Sequence, residues 1–260
     1  MPDDVISRRH FTVLGGAGLA AACASAGASV IVSDGMLTAS PVSPAQDGAR
    51  SGVFRFESWP QPYGYIPPDL DRTKPAPMML LLHGGGGGSD RILRAFTQLA
   101  RDRGVVLLAP EADRRTWDVV RAFQYGSEPA FGADVARVDA SLRLMFGEVV
   151  VDPKRLAIAG MSDGASYALS LGLRNGGLFT HIAAFSPGGI APFTEQPTSR
   201  IFISHGRRDS VLAFDNTASG MVAGLKAAGA DVTFVPFDGD HELRQQEMRA
   251  AMDWWLGDQP

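Results

Sequence analysis

The sequence predicts an α/β fold: one mostly parallel central sheet with helices on both faces. Three observations lead there. From Val53 onward, short continuous apolar runs alternate with longer segments whose apolar residues recur at helical spacing. Several of those runs end in glycine or proline, as buried parallel strands do where they turn into loops. With 260 residues, 45% hydrophobic and 20% charged, the chain can bury a sizeable core, and no internal repeat or linker divides it beyond the N-terminal segment.

Met78–Gly85 (MMLLLHGG) reads as the first buried strand running into a loop. Ser89 can then cap a helix through Arg103, with Ile92, Leu93, Phe96, Leu99 and Ala100 on one face. VVLLAP (105–110) is a second strand, broken by Pro110. A long polar connection containing RTWD (115–118) leads to a helix from about Gly132 to Phe146, on which Val135, Val138, Leu142 and Met145 share a face. A strand at Leu156–Ala159 precedes Ser162, and the helix GASYALSLGLRNG (164–176) stops at its glycines. Further strands are expected at His181–Phe185, Ile201–Ser204 and Val232–Val235, with helices near Asn216–Ala228 and Glu242–Leu256. Between the first two of these strands stands SPGGIAPFTEQPTSR (186–200), short and proline-rich, so no large cap domain fits and the site should be open.

Residues 1–48 read as an export signal and linker, and 49–260 as the catalytic domain. SRRHF (7–11) precedes a Gly- and Ala-rich apolar run. It resembles a twin-arginine export signal: Arg8, Arg9 and Phe11 match the pattern, while Thr12 and Val13 depart from it. That implies transit through the twin-arginine machinery and a periplasmic or secreted protein. Membrane association follows only if the segment stays uncleaved or is lipidated, and LAAAC before Cys23 faintly resembles a lipoprotein processing site. Cys23 is the sole cysteine, so the body has no thiol for a disulfide, a nucleophile or a metal thiolate. A net charge of −4 and a pI near 5.7 leave no basic footprint for nucleic acid.

Chemistry in a parallel sheet is sought just beyond the carboxyl ends of the strands. Four loops there carry reactive or unusual residues. HGGGGGSD (83–90) lets backbone N–H groups approach an anionic oxygen closely, and it lacks the GK[ST] ending of a phosphate-cradling loop. Ser162 stands between Gly160 and Gly164 in a G-x-S-x-G pattern, where glycines relieve the crowding of a sharp strand-to-helix turn. HGRRDSV (205–211) carries Asp209, and FDGDHEL (237–243) carries His241.

Serine, acid, histidine is the chain order of the α/β-hydrolases. The body, from about Phe54 to Leu256, resembles that superfamily. HGGGGG, GMSDGASYALSLGL, SPGG, HGRRDSV and GDHE are similar to the branch holding carboxylesterases, dienelactone hydrolases, feruloyl esterases and polyhydroxybutyrate depolymerase-like esterases. Serine stands where dienelactone hydrolases use cysteine, so their substrate is not implied. The resemblance implies Ser162 as nucleophile, His241 as base and Asp209 as its orienting acid. It also implies backbone N–H groups of Gly85 and Asp163 as the oxyanion hole. Neither a cofactor nor a metal is implied, and no H-E-x-x-H cluster occurs.

Each assignment has a rival. His205 could be the base, and Asp238, Asp240 or Glu242 the acid. His83 is expected to shape the glycine loop, and the Asp163 side chain to complement a helix dipole. Trp117 either borders the substrate pocket or packs in the core. The expected activity is carboxylic ester hydrolysis through an acyl-enzyme, on an aryl, feruloyl, short-chain or polyester substrate. A serine peptidase or amidase of the same fold, or a non-catalytic envelope binding protein, are the alternatives.

Overall fold

Apolar runs that alternate faces need cover on both sides, and that requirement organises the molecule. A computed structural model describes residues 34–41, 50–215 and 220–257, all within the compact unit Ile31–Pro260. Its strands are β1 (Gly52–Arg55), β2 (Tyr63–Ile66), β3 (Ala76–Leu82), β4 (Val106–Ala109), β5 (Val151–Met161), β6 (His181–Phe185), β7 (Arg200–Gly206) and β8 (Val232–Phe237). Its helices are α1 (Ser89–Arg103), α2 (Asp118–Gln124), α3 (Ala133–Phe146), α4 (Asp163–Arg174), α5 (Gly220–Ala227) and α6 (Gln245–Gly257).

The strands form one eight-stranded sheet in the order β1-β2-β4-β3-β5-β6-β7-β8. Pairing is parallel from β4 to β8, while β1 with β2 and β2 with β4 are antiparallel. Along β3 the alternation is visible residue by residue. Met78, Leu80 and Leu82 pack into the core that also holds Val135 and Leu142 of α3 and Leu169 of α4. Met79 and Leu81 pack on the other face, with Leu93 and Phe96 of α1 and Met252 and Trp255 of α6. From β3 the chain goes to β4 on one side and then to β5 on the other. That reversal opens a crevice between the carboxyl ends of β3 and β5, where ligands of such sheets sit.

The expected strands and helices are present with shifted ends: β5 begins five residues before Leu156, and residues 216–219 of the helix expected near Asn216–Ala228 lie outside the described residues. Ser89 differs from its expected role: it is the first helical residue, it makes no capping bond, and Gly88 precedes it with a left-handed backbone. Glu111 takes over, its carboxylate accepting the N–H of Gly88 at 3.0 Å and of Ser89 at 2.9 Å. β1, β2 and α2 were not expected. Residues 186–199, as expected, form neither helix nor strand. They are pinned to α4 by Ser166 Oγ, which accepts from Gly188 N at 2.9 Å, and by Ser170 Oγ, which accepts from Ala191 N at 2.9 Å.

Residues 34–41, read from sequence as linker, lie against the domain. Asp139 of α3 accepts from Thr38 N and Ala39 N at 2.7 and 2.6 Å, and Asn175 Oδ1 accepts from Leu37 N at 2.8 Å. The export-signal residues Arg8, Arg9, Phe11 and Cys23 lie outside the described residues. No helix among the described residues is long and apolar enough to cross a membrane.

Candidate active site

The spacing of glycines around Ser162 has a steric cause. β5 passes into α4 through a single residue, Ser162, at φ 57 and ψ −118. This is a backbone conformation that costs a non-glycine residue about 1–3 kcal/mol. The turn brings the start of α4 back onto the end of β5 and across β3. A Cβ on Gly160 would lie 2.3 Å from the Gly164 carbonyl, and one on Gly164 would lie 2.1 Å from Leu82 O. Side chains are therefore excluded on both sides of the serine. Ser162 N donates to Phe185 O at 2.8 Å, and its carbonyl accepts from Ala165 N and Ser166 N, each at 3.0 Å, so sheet and helix both hold the apex.

The other expected residues converge on it from the ends of β7 and β8. His241 Nε2 is 2.8 Å from Ser162 Oγ, and His241 Nδ1 is 2.7 Å from Asp209 Oδ2. Both contacts are of hydrogen-bond length. Asp209 Oδ1 accepts from Val211 N at 2.9 Å and Leu212 N at 2.7 Å. Burial works to raise the Asp209 pKa, but the bonds from Leu212 N, His241 and Val211 N outweigh it and hold the carboxyl below its ordinary value. Asp209 is thus an anion at neutral pH and an acceptor for Nδ1–H, which leaves Nε2 with a lone pair toward Ser162 Oγ. An imidazole so placed can take the serine proton.

The glycine loop lies across the crevice. As the first residue of α4, Asp163 has an N–H with no intrahelical acceptor. Among the described residues the Gly85 N–H has no hydrogen-bond acceptor either. The two residues meet across the crevice, since a Cβ on Gly85 would lie 2.8 Å from the side-chain oxygen Oδ2 of Asp163. The loop is braced from below: Gly86 N donates to Arg115 O at 2.8 Å, and Trp117 Nε1 to His83 O at 2.9 Å. His83 does shape the loop, with Nδ1 2.8 Å from Gly84 O and Nε2 accepting from Ala112 N at 3.0 Å. The Asp163 side chain does more than face a helix dipole, because its Oδ2 accepts from Thr116 Oγ1 at 2.5 Å.

The rivals are placed elsewhere. Asp238 pairs with Arg208 at the surface. Asp240 accepts from Ser210 N at 2.7 Å and His241 N at 2.7 Å, tying the acid loop to the histidine loop through backbone. Glu242 makes no hydrogen bond to the His241 ring among the described residues. His205 makes no hydrogen bond to Ser162 among the described residues; its buried Nε2 lies 2.9 Å from Leu212 O and 3.1 Å from Asp209 Oδ2. A carbonyl only accepts, so Nε2 carries the proton and directs it to Leu212 O, with the Asp209 carboxylate close beside it.

The pocket reading of Trp117 is corrected. The ring is 0% exposed and stacks on Tyr167 at 4.9 Å between centroids. Its immediate neighbours Thr116 and Asp118 are buried with it, Asp118 accepting from Gly132 N at 2.8 Å and Asp134 from Asp118 N at 2.8 Å. What lines the space beside Ser162 is a cavity of about 340 Å³ bounded by Gly85, Met161, Ile92, Ala95 and Leu243. None of the last four was expected at the site from sequence, where Ile92 stands only on the apolar face of a helix; Met161 and Leu243 sit one and two residues from Ser162 and His241, which is the available signal.

The fold is shared with solved esterases. A ferulic acid esterase from Anaeromyces mucronatus superposes with a TM-score of 0.61 at 16% identity, over 86% of this chain and 98% of that one. The S-formylglutathione hydrolase of Staphylococcus aureus gives 0.60 at 16% identity, over 83% and 99%. The Bacillus cereus carboxylesterase gives 0.57 at 19%, over 75% and 93%. At these identities the likeness is one of fold. No curated protein matches the sequence. The family profile named Esterase, however, matches residues 60–216, more than half of the 260 residues. The chain therefore belongs to the Esterase family, as a carboxylesterase-type hydrolase on the α/β-hydrolase fold.

Proposed function

We propose that the chain hydrolyses carboxylic esters through a covalent acyl-enzyme on Ser162. The observation that carries this reading is His241, hydrogen-bonded at once to Ser162 Oγ and Asp209 Oδ2. Ser162 Oγ attacks the ester carbonyl carbon while His241 Nε2 takes its proton. The carbonyl oxygen becomes an oxyanion, met by the N–H groups of Gly85 and Asp163. Collapse expels the alcohol, which leaves with the proton from His241. Water then repeats the sequence: His241 removes its proton, the acyl–Oγ bond breaks, and Ser162 regains the proton as the acid departs. Asp209 stabilises the imidazolium formed in both halves.

The substrate reading follows from the cavity and the missing cap. About 340 Å³ of mainly apolar space suits one short acyl chain or a single aromatic ring. The irregular connection 186–199 leaves the other side of the ester open to a larger group. Short-chain and aryl esters, feruloyl esters among them, are the proposed class. The chain is also proposed to be exported by the twin-arginine route, supported by Arg8, Arg9 and Phe11.

An ester panel tests the reading: 4-nitrophenyl acetate to laurate, plus methyl ferulate, with wild type beside Ser162→Ala. Wild type should favour the short acyl chains, and the variant should retain no more than a few per cent of the rate. A variant of near-wild-type activity contradicts the mechanism.

A further inference from the structure

The cavity beside Ser162 carries a charge that ester hydrolysis itself does not use. Its walls are apolar where Ile92 and Ala95 of α1 meet Met161 and Leu243, and the solvent-exposed Arg91 is part of the lining. The Arg91 side chain folds back over the glycine loop. A Cβ on Gly88 would lie 3.6 Å from its Cβ and 3.8 Å from both Cζ and Nε. Gly88 itself, at φ 113, holds a conformation that favours glycine. Among the described residues the guanidinium has no hydrogen-bond or ion-pair partner. Two carboxylates that border the loop are engaged elsewhere. Glu111 accepts from Gly88 N and Ser89 N, with His83 Nε2 3.4 Å away, and Asp163 accepts from Thr116. An unpaired guanidinium at the rim of an apolar cavity offers a planar fork of donors that matches a carboxylate in two parallel bonds.

We propose that Arg91 is a substrate-binding residue for an anionic group, so that the preferred substrates carry a carboxylate on the half of the ester that enters this cavity. The proposal rests on the ester-hydrolase reading above and adds a substrate class to it. Apolar walls take the hydrocarbon part, and Arg91 takes the charged end where the cavity meets solvent.

Two matched pairs of esters test it. In the first, 4-nitrophenyl hydrogen succinate is compared with its neutral methyl ester, which puts the charge on the acyl side. In the second, 4-acetoxybenzoate is compared with methyl 4-acetoxybenzoate, which puts it on the alcohol side. Wild type is set beside Arg91→Gln and Arg91→Lys. In one pair Arg91→Gln should raise KM for the anionic ester roughly three- to tenfold, with kcat and the neutral ester unchanged. Arg91→Lys should recover part of the loss, and 0.5 M NaCl should shrink the difference. The responding pair identifies which half of the ester the cavity takes. If anionic and neutral members change together, or neither changes while the neutral esters are still hydrolysed, the proposal is wrong and the ester-hydrolase reading stands. If wild type hydrolyses none of the four, both fall.

Discussion

Replacing Asp209 by Asn removes one charge and almost no volume, so its effect can be reasoned atom by atom. Oδ1 accepts from Val211 N and Leu212 N, at 2.9 and 2.7 Å. Those donors are fixed in the backbone, so the Asn carbonyl oxygen must take that side and its NH₂ must replace Oδ2. There it meets His241 Nδ1 at 2.7 Å and His205 Nε2 at 3.1 Å. A donor facing Nδ1 is satisfied only if Nδ1 gives up its proton, which moves to Nε2. Nε2–H then points at Ser162 Oγ and cannot accept its proton. The imidazolium formed in the transition state also loses its counter-charge. The corresponding change in serine proteases lowers kcat by about 10⁴, and a fall of roughly 10³–10⁴ is expected here, about 4–5.5 kcal/mol. KM for 4-nitrophenyl butyrate should stay within about threefold, and circular dichroism should be unchanged. Asp238→Asn touches only a surface pair with Arg208 and should be nearly silent. Asp240→Asn weakens the link between the two loops and should cost about tenfold. A mild Asp209→Asn beside an inactive Asp240→Asn would refute the reasoning and move the acid into the histidine loop.

Other outcomes follow from the same structure. Gly164→Ala places a methyl 2.1 Å from Leu82 O and 2.5 Å from His83 O, both backbone. It should cost about 3 kcal/mol or more, lowering Tm by roughly 6–12 °C, and should abolish activity at temperatures where the fold persists; a silent variant would contradict the elbow geometry. Burial and the Asp134 charge push Asp118 from 3.8 up to about 6. The folded state then binds the extra proton between those values, so stability present at low pH is lost as pH rises toward 6, by about 3 kcal/mol. Urea midpoints of wild type should fall between pH 4.5 and 7.5 more steeply than those of Asp118→Asn; equal slopes would remove Asp118 from the account. Replacing Arg8 and Arg9 by Lys should leave the precursor in the cytoplasm on cell fractionation, and unchanged export would exclude the twin-arginine route.

The parts of the fold legible in the sequence are those where burial leaves a continuous trace. β3 is buried along its whole length, and α1 repeats Ile92, Leu93, Phe96, Leu99 and Ala100 on one face. Ser162 was legible because the crowding at a strand-to-helix turn writes itself as Gly160 and Gly164. β1 and β2 were not, since each is only four residues long and only partly apolar. α2 was hidden for a different reason. It is only seven residues long, and its buried face includes Asp118, whose carboxylate is satisfied by backbone N–H groups of Gly132 and Asp134. The same polar flank, Thr116 and Asp118, left Trp117 open between a pocket wall and the core. Glu111 reaches Gly88 and Ser89 across more than twenty residues of sequence, a distance at which no local pattern marks a cap. The contact of His205 with Asp209 hides behind the same H-G-x-x-D spacing that revealed Asp209, because spacing does not say which nitrogen faces which oxygen.

The most direct measurement is the covalent state of the serine. Wild type is mixed with a slowly deacylating aryl ester or a fluorophosphonate, quenched in acid, digested with trypsin and sequenced by mass spectrometry. Cleavage after Arg155 and Arg174 releases Leu156–Arg174, in which Ser162, Ser166 and Ser170 are the serines. The account predicts one equivalent of acyl or phosphonyl group on Ser162 alone, absent in Ser162→Ala and formed far more slowly in Asp209→Asn. Hydrolysis that proceeds with this peptide unmodified, or with the adduct on another residue, would contradict it.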